Sequence, residues 1–418
     1  MTAEIAIING SGIALAADSA VTISNHRVWK NANKLFSLTP ENNIGVMIYG
    51  NAEHLGYGWD LILKCFKSSQ QFKTFDNVKS CASAFIDFLN GDDIKSPEHE
   101  SVNNLLLAVK LIESGLSSLK RKKKQNRKNE FEAYLESKIK EIKEHDDIFE
   151  EKVKLDKIII NSIHDIANDE ADFYVSKKLA EKVFILTELS LNKKMSPVGG
   201  YTGVVFAGYG EKCLYPSLHA YVIDGTISGA LRAWHLESAE YQAPERYSQI
   251  FAFAQADVAN IFMRGIHVDC ENVLFSQFER ILAGRSAEFL KRAKFTEEEK
   301  VVEQKIQQRE NEAIVSSLRS SFDAYIQNQF VSPIMKVVGA LPKDEMAQMS
   351  EALVEITSLR RKIDSNLESV SGPVDVAVIS KTEGFVWMKR KHYFDIELNK
   401  EYEVRLQEGV RRRLNDEK

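Results

Sequence analysis

Three side chains near the start of the chain could together hydrolyse an amide bond. Thr2 has a hydroxyl, Asp18 a carboxylate and Lys34 an ammonium group, and both steps between them are sixteen residues long. A nucleophilic hydroxyl needs a proton acceptor, a charge that tunes it and N–H donors for the oxyanion. We expect Met1 to be removed, because residue 2 is small. The exposed α-amine of Thr2, whose ordinary pKa is about 7.7–8.0, could then be the proton acceptor.

A predicted β-hairpin would bring Thr2 close to Asp18. Residues 3–8 and 12–17 are mostly apolar, have the length of strands and flank a tight-turn signal, Asn9-Gly10-Ser11. With these three residues as the loop, Thr2 lies opposite Asp18. A hydroxyl and a carboxylate would then be neighbours.

A second predicted strand pair would position Lys34 and Gly50. Residues 34–38 and 44–49 have strand character, and a turn centred on Asn42 would place Lys34 opposite Gly50. As a nearby cation, Lys34 would lower the pKa of the α-amine and help to ionise the hydroxyl, while Asp18 would hold the ammonium in place. The backbone N–H at Gly50 would donate to the oxyanion.

The remaining pattern alternates between strand and helix segments. Helical periodicity covers about 52–66 and 75–89, and strand character returns at 203–209, 219–225, 228–234, 374–379 and 384–388. Two long charged stretches, about 95–195 and 280–365, are predicted to be helical; Thr296 and Glu299 form a capping-box signature in the second. The strands are divided between the ends and the middle, which predicts one sandwich with two helical insertions.

Composition excludes several classes of function. The chain has 418 residues, a net charge of −5, 44% hydrophobic residues and four cysteines without CxxC pairing. A slightly acidic chain argues against nucleic-acid binding, and no apolar stretch reaches the roughly 18–20 residues of a membrane helix. The cysteines are typical of a reduced, cytoplasmic protein, and the histidines lack metal-ligand spacing. We expect no metal, cofactor, nucleic acid or membrane partner.

The stretches around these candidate residues resemble a known family. Thr2, ALAADSAVTI around Asp18, NANKLFSL around Lys34 and IGVMIYG ending at Gly50 are similar to the β-subunits of proteasomes and the HslV peptidase, which are N-terminal-nucleophile (Ntn) hydrolases. The resemblance implies a four-layer αββα sandwich with added long helices, in one domain spanning 1–418. Its predicted parts are a core at about 1–92, 198–275 and 366–395, insertions at 95–197 and 280–365, and a C-terminal tail at 396–418.

The resemblance also implies further roles and partners. Thr22 would pair through its backbone with a bound peptide, and Glu368 and Ser371 would support the α-amine, although Glu368 stands where the family usually has Asp. The family's Ser-rich turn corresponds to 253–257, which contains no Ser. Family members form stacked rings, often served by an ATP-dependent unfoldase. The resemblance therefore implies a homo-oligomer that takes peptides or unfolded proteins.

Three functions follow from these observations. The leading hypothesis is a threonine peptidase that forms an acyl-enzyme on Thr2. The alternatives are a non-catalytic scaffold subunit and an Ntn amidase for a small molecule, since one fold can support several activities. The plainer interpretation is a start-site Thr, a loop carboxylate and a surface Lys, and the agreement of both sixteen-residue spacings argues against it.

Overall fold

The computed structural model describes residues 2–23, 27–39, 42–70, 73–119, 126–196, 200–241, 248–364, 372–392, 394–395, 397–401 and 404. The predicted mixed α+β fold is confirmed: antiparallel strand pairs are combined with long helices. The chain divides into two compact units. The first unit comprises Met1–Ala32, Tyr241–Val378 and Trp387–Lys418, and the second comprises Asn33–Glu240 and Ile379–Val386. The single-domain assignment stays a prediction.

The strands are β1 (Ala3–Asn9), β2 (Gly12–Ala17), β3 (Val21–Ile23), β4 (Arg27–Trp29), β5 (Leu35–Thr39), β6 (Asn42–Gly50), β7 (Glu53–His54), β8 (Tyr57–Gly58), β9 (Thr202–Gly208), β10 (Ser217–Ile227), β11 (Ala230–Glu240), β12 (Gln249–Ala254), β13 (Asp375–Ser380) and β14 (Gly384–Lys389). The helices are α1 (Trp59–Ser69), α2 (Val78–Leu89), α3 (Pro97–Ser118), α4 (Arg127–Lys143), α5 (Ile159–Glu170), α6 (Lys177–Asn192), α7 (Asp257–Arg264), α8 (Val268–Arg292), α9 (Glu297–Ile326), α10 (Ser332–Ala340) and α11 (Lys343–Asp364).

In the first unit, β1 lies between β12 and β2 in a sheet of order β12-β1-β2-β13-β14. Successive side chains of a strand point to opposite faces, so Ala3, Ile5 and Ile7 share one face of β1. This face packs against α10 and α11, where Met346 and Leu353 are buried. Burial of this apolar surface anchors the start of the chain.

The buried stripe of α11 differs from the apolar stripe in its sequence. The helical spacing of Met346, Met349, Leu353, Ile356 and Leu359 predicts that these five residues face the core. Met346 and Leu353 do so, whereas Ile356 and Leu359 are exposed. Positions Ser350, Val354 and Thr357 are buried instead, and the two hydroxyls donate to carbonyls one helical turn back. Internal hydrogen bonds make these polar positions compatible with burial.

In the second unit, a sheet of order β11-β10-β9-β6-β5 packs against α1 and α2. Edge-to-face aromatic contacts fill this core: the Phe85 ring lies 5.0 Å from that of Phe66 and 5.4 Å from that of Phe206. Such pairs contribute about 0.5–1.5 kcal/mol each beyond their buried area. The contacts fix β6 and β9, the strands that position Gly50.

The helices α3 to α6 have a separate hydrophobic core within the second unit. Phe131, Leu135 and Ile163 are completely buried there, and Ile227 at the end of β10 joins the cluster. These helices lie where the sequence predicts a helical insertion at 95–197.

The other charged stretch is also helical, from α8 to α11. The capping box before α9 is confirmed, because Thr296 accepts from the Glu299 backbone N–H and the Glu299 carboxylate accepts from that of Thr296. Helical periodicity in the sequence begins at about residue 253, and the strand β12 just before these helices was not predicted. Along the described residues, no helix is both long and apolar enough to cross a membrane.

Candidate active site

The first hairpin is formed, but its register differs by one residue from the prediction. Glu4 pairs with Ala17 and Asn9 with Gly12, so that Ala3 rather than Thr2 lies at the level of Asp18. The predicted three-residue loop was wrong because Asn9 belongs to β1. Its side-chain amide donates to the carbonyls of Val338 and Leu341, which hold it in the sheet.

Thr2 and Asp18 nevertheless lie next to each other along the hairpin. The Ala3 N–H donates to Asp18 Oδ1 at 3.1 Å, and the Asp18 N–H donates to the Ala3 carbonyl at 3.1 Å. The second carboxylate oxygen accepts from the Ala20 N–H at 3.0 Å. Asp18 is only 1% exposed. Charge-assisted bonds from two backbone N–H groups therefore fix this carboxylate one residue from Thr2.

The backbone of Thr2 is also hydrogen-bonded on the side of β1 that faces β12. Its carbonyl accepts from the Gln255 N–H at 3.1 Å, and Ala3 pairs with Ala254 at the end of β12. Ala254 has a φ of +62°, a left-handed conformation that is rare for a residue with a Cβ. Strained residues of this kind often occur at functional sites. Thr2 itself is 4% exposed in the chain that includes Met1.

Lys34 lies in the second unit, and its register also differs from the prediction. Its carbonyl accepts from the Ile48 N–H at 2.9 Å, so Lys34 lies opposite Ile48 rather than Gly50. The error arises because the predicted turn centre was wrong: Asn42 belongs to β6 and pairs with Thr39. A register shift between Ser37 and Thr39 then leaves a difference of two residues at Lys34. The pattern of apolar residues contains no sign of that irregularity. Lys34 is 5% exposed.

Gly50 ends β6 in a conformation that requires glycine. Its φ is +90°, and a Cβ at this position would overlap the carbonyl oxygen of Tyr201. The Asn51 N–H donates to that same carbonyl at 3.1 Å, so β9 fixes the backbone just after Gly50. The local backbone is therefore rigid, which an oxyanion donor needs.

Replacing Gly50 with alanine is expected to lower the free energy of unfolding by about 3 kcal/mol or more, because backbone strain adds to a steric clash. Chemical denaturation followed by circular dichroism measures this loss. Gly229 is the matched control: its φ is +77° and its Cβ position is open. Gly229→Ala should cost only about 1 kcal/mol. Equal losses in the two variants would contradict the clash at Gly50.

The other predicted site residues are only partly described. The backbone of Thr22 lies in β3 and pairs with Val28 of β4. Glu368 and Ser371 lie outside the described residues. Their proposed roles therefore stay predictions.

A buried histidine in the second unit was not predicted from the sequence. His54 ends the short strand β7, and its ring lies 5.5 Å from that of Trp59. Burial lowers its pKa from 6.5 to about 4. An isolated histidine in a polar segment has no sequence signal that marks it as buried.

The lowered pKa predicts a pH-dependent loss of stability. Below pH 6.5 the unfolded chain protonates His54 while the folded chain does not until about pH 4. Stability from this group is therefore complete above pH 6.5 and is lost as the pH falls towards 4, by about 3 kcal/mol. Urea unfolding at both pH values measures the loss. The His54→Phe variant cannot titrate and should lose about 3 kcal/mol less than the parent; identical pH profiles would contradict the assignment.

No family model and no curated protein matches the chain. Similar solved structures include one described as Anbu (ancestral beta-subunit) from Yersinia bercovieri. It is 9% identical, with a TM-score of 0.33 and an alignment that covers 98% of this chain and 96% of that one. Another is an Anbu (Gly-1) mutant from Hyphomicrobium sp. strain MC1, 10% identical, with a TM-score of 0.29 and coverage of 98% and 97%.

These findings correct the family assignment made from the sequence. The assignment to the proteasome β-subunits and HslV was wrong: the two solved structures named above are described as Anbu proteins, a distinct proteasome-like family, and neither other comparison supports HslV. The resemblance depended on short motifs at about 2–50, 203–234 and 371–380. At these identities and TM-scores, the similarity to Anbu carries no argument about activity or assembly.

Proposed function

We propose that this protein is an N-terminal threonine hydrolase that cleaves peptide bonds through an acyl-enzyme on Thr2. The observation that supports it most is the fixed position of the Asp18 carboxylate beside Ala3, one residue from Thr2. The bond from the Ala20 N–H, two residues on, is an ordinary Asx turn, but the bond from the Ala3 N–H fixes the backbone beside Thr2. A nucleophile that carries its own base needs its backbone oriented in this way.

In the proposed reaction, Thr2 Oγ1 attacks the carbonyl carbon and its proton passes to the α-amine. The tetrahedral intermediate collapses, the C–N bond breaks, and the leaving amine takes that proton. Water then attacks the resulting ester, again giving a proton to the α-amine, and the acid and the free Thr2 hydroxyl are released. Asp18 orients the backbone, and Lys34 and Gly50 are proposed to tune the nucleophile and to stabilise the oxyanion.

Beyond the chemistry at Thr2, the proposal extends to fold, location, substrates and assembly, and this extension rests on the sequence alone. It includes a four-layer αββα sandwich, a cytoplasmic location, peptide or unfolded-protein substrates, a homo-oligomer and service by an ATP-dependent unfoldase. Light scattering at micromolar concentration tests the oligomer. A monomeric mass would contradict the homo-oligomer and the wider proposal that goes with it. Smaller amides would then be the candidate substrates for Thr2.

The decisive experiment varies the group before Thr2. Inserting two glycines between Met1 and Thr2 moves the free amine away, so hydrolysis of a fluorogenic peptide amide should fall about 100-fold or more. The control appends two glycines after Lys418, at the other end of the sequence, and should leave activity unchanged. Equal activity of both glycine variants would contradict an N-terminal base.

The second candidate is a non-catalytic subunit, and the burial of Thr2 favours it. The whole Thr2 residue is 4% exposed in the chain that retains Met1, and in that state it is poorly accessible to a substrate. This candidate predicts that the purified protein keeps Met1 and hydrolyses no amide substrate.

A further inference from the structure

A polar cavity of about 260 Å³ lies wholly within the second unit. Its walls come from the segment after β6, from α3 and from the end of β10. The cavity has room for about nine water molecules, or a molecule with about as many non-hydrogen atoms. Its aliphatic wall is formed by Leu55, Leu107, Leu191 and Ile223.

Two buried polar side chains line this cavity without a hydrogen-bond partner among the described residues. Asn104 on α3 is 4% exposed, and its carboxamide makes no side-chain hydrogen bond to any of them. The His54 Nε2 atom is buried and likewise has no partner in the described chain. The Asn104 amide is not among the fully enclosed polar atoms that lack a partner in the described chain, so it is accessible and can hydrogen-bond a molecule bound in the cavity. The His54 Nε2 atom is fully enclosed, so a molecule in the cavity does not reach it.

The charges around the cavity balance. Glu53 and Lys110 are exposed at its rim and make no ion pair with a described residue. Deeper, Asp224 pairs with Arg232 at 2.5 Å, and the guanidinium also donates to carbonyls of α6 and the residues that follow it, including Leu191. Two acids and two bases give no net charge. Such a lining disfavours an anion or a cation alone and favours a molecule that carries both signs.

We propose that this cavity binds a free α-amino acid with an aliphatic side chain. Its carboxylate would face Lys110 and the Asn104 amide, its ammonium group would face Glu53, and its side chain would contact Leu107 and its aliphatic neighbours. The size of the cavity, its balanced charge, the accessible amide of Asn104 and the apolar wall all match this class of ligand. The site is separate from the proposed hydrolysis at Thr2 and does not depend on it.

Isothermal titration with three related probes tests the charge requirement. L-leucine carries both charges, N-acetyl-L-leucine only the negative one and L-leucinamide only the positive one. L-leucine should bind with millimolar or tighter affinity, and each derivative at least about tenfold more weakly, since each loses one charged contact. Absence of leucine binding at about 20 mM, or equal binding of all three probes, would overturn the proposal.

Variants locate the binding. Asn104→Leu keeps the side-chain size but removes the amide, and Lys110→Met changes an exposed residue that folding does not need; each should weaken leucine binding about tenfold. Asn272→Leu on α8, an exposed position outside the cavity, is the matched control and should bind as the parent does. Unchanged leucine binding in both Asn104→Leu and Lys110→Met would overturn the proposed site. If Asn272→Leu lost binding as much as these two variants, the binding would be nonspecific, which would also overturn the proposal.

Discussion

Replacing Thr2 with alanine is expected to lower kcat for a peptide amide about 1,000-fold or more, because no acyl-enzyme can form without the hydroxyl. The measurement is the rate of release of a fluorogenic amine under saturating substrate. Thr2 precedes β1 rather than lying within it, and its carbonyl bond to Gln255 uses only the backbone. The variant should therefore fold, with a thermal midpoint within a few degrees of the parent.

The matched control is Thr2→Ser, which keeps both the hydroxyl and the α-amine. It should retain activity within about 100-fold of the parent, because only a methyl group is lost. Parent-level hydrolysis by Thr2→Ala would contradict the proposed nucleophile. Loss of activity in both variants with a lower thermal midpoint would point to folding instead, and circular dichroism separates these outcomes.

Replacing Asp18 with asparagine is expected to have the second largest effect. An amide nitrogen cannot accept a hydrogen bond, so one of the two N–H donors at Ala3 and Ala20 would be left buried and unsatisfied. The free energy of unfolding should fall by about 1–3 kcal/mol. The hydrogen bond from the Ala3 N–H to Asp18 also orients the backbone beside Thr2, so kcat should fall about 100-fold. Urea denaturation and the amide assay measure the two effects.

Asp323→Asn is the control for this change. Asp323 is exposed on α9 and its ion pair with Arg264 spans 3.3 Å, so its loss should cost less than about 1 kcal/mol. It should leave hydrolysis unchanged. If Asp18→Asn behaved like Asp323→Asn in both assays, the Asp18 carboxylate would have no special role.

The strands of the first hairpin could be predicted from local pattern, but their register could not. Apolar residues around a Gly-Ser pair are enough to indicate two strands and a turn. The register depends on Asn9, whose amide bonds to carbonyls at Val338 and Leu341, more than three hundred residues later. No local rule contains that contact, and an error of one residue reverses which side chains share a face.

The same limit explains the missed strand β12. The stretch Gln249–Ala254 has a short apolar run that suits a strand or a buried helix equally well. Its pairing with β1 decides the outcome, and β1 lies at the other end of the chain. On α11, internal hydrogen bonds of Ser350 and Thr357 allowed polar residues into the core, which composition alone does not indicate.

For the candidate sites, the spacing of residues in the sequence was informative, but the sequence did not indicate which polar residues are buried. The equal steps from Thr2 to Asp18 and Lys34 led to a carboxylate that the structure does place beside the start of β1. Asn104 and His54, in contrast, are single polar residues without a motif. Their significance depends on being enclosed by α3, β7 and β10, an arrangement that only the folded chain contains.

The central claim is that Thr2 becomes an N-terminal nucleophile, and an intact-mass spectrum tests it most directly. The untagged protein would be measured before and after incubation with a β-lactone, which acylates nucleophilic hydroxyls. We predict a mass that lacks Met1 and gains one adduct, localised to Thr2 by peptide mapping and absent from the Thr2→Ala variant. Retention of Met1, or an adduct on any other residue with Thr2 unmodified, would contradict the claim.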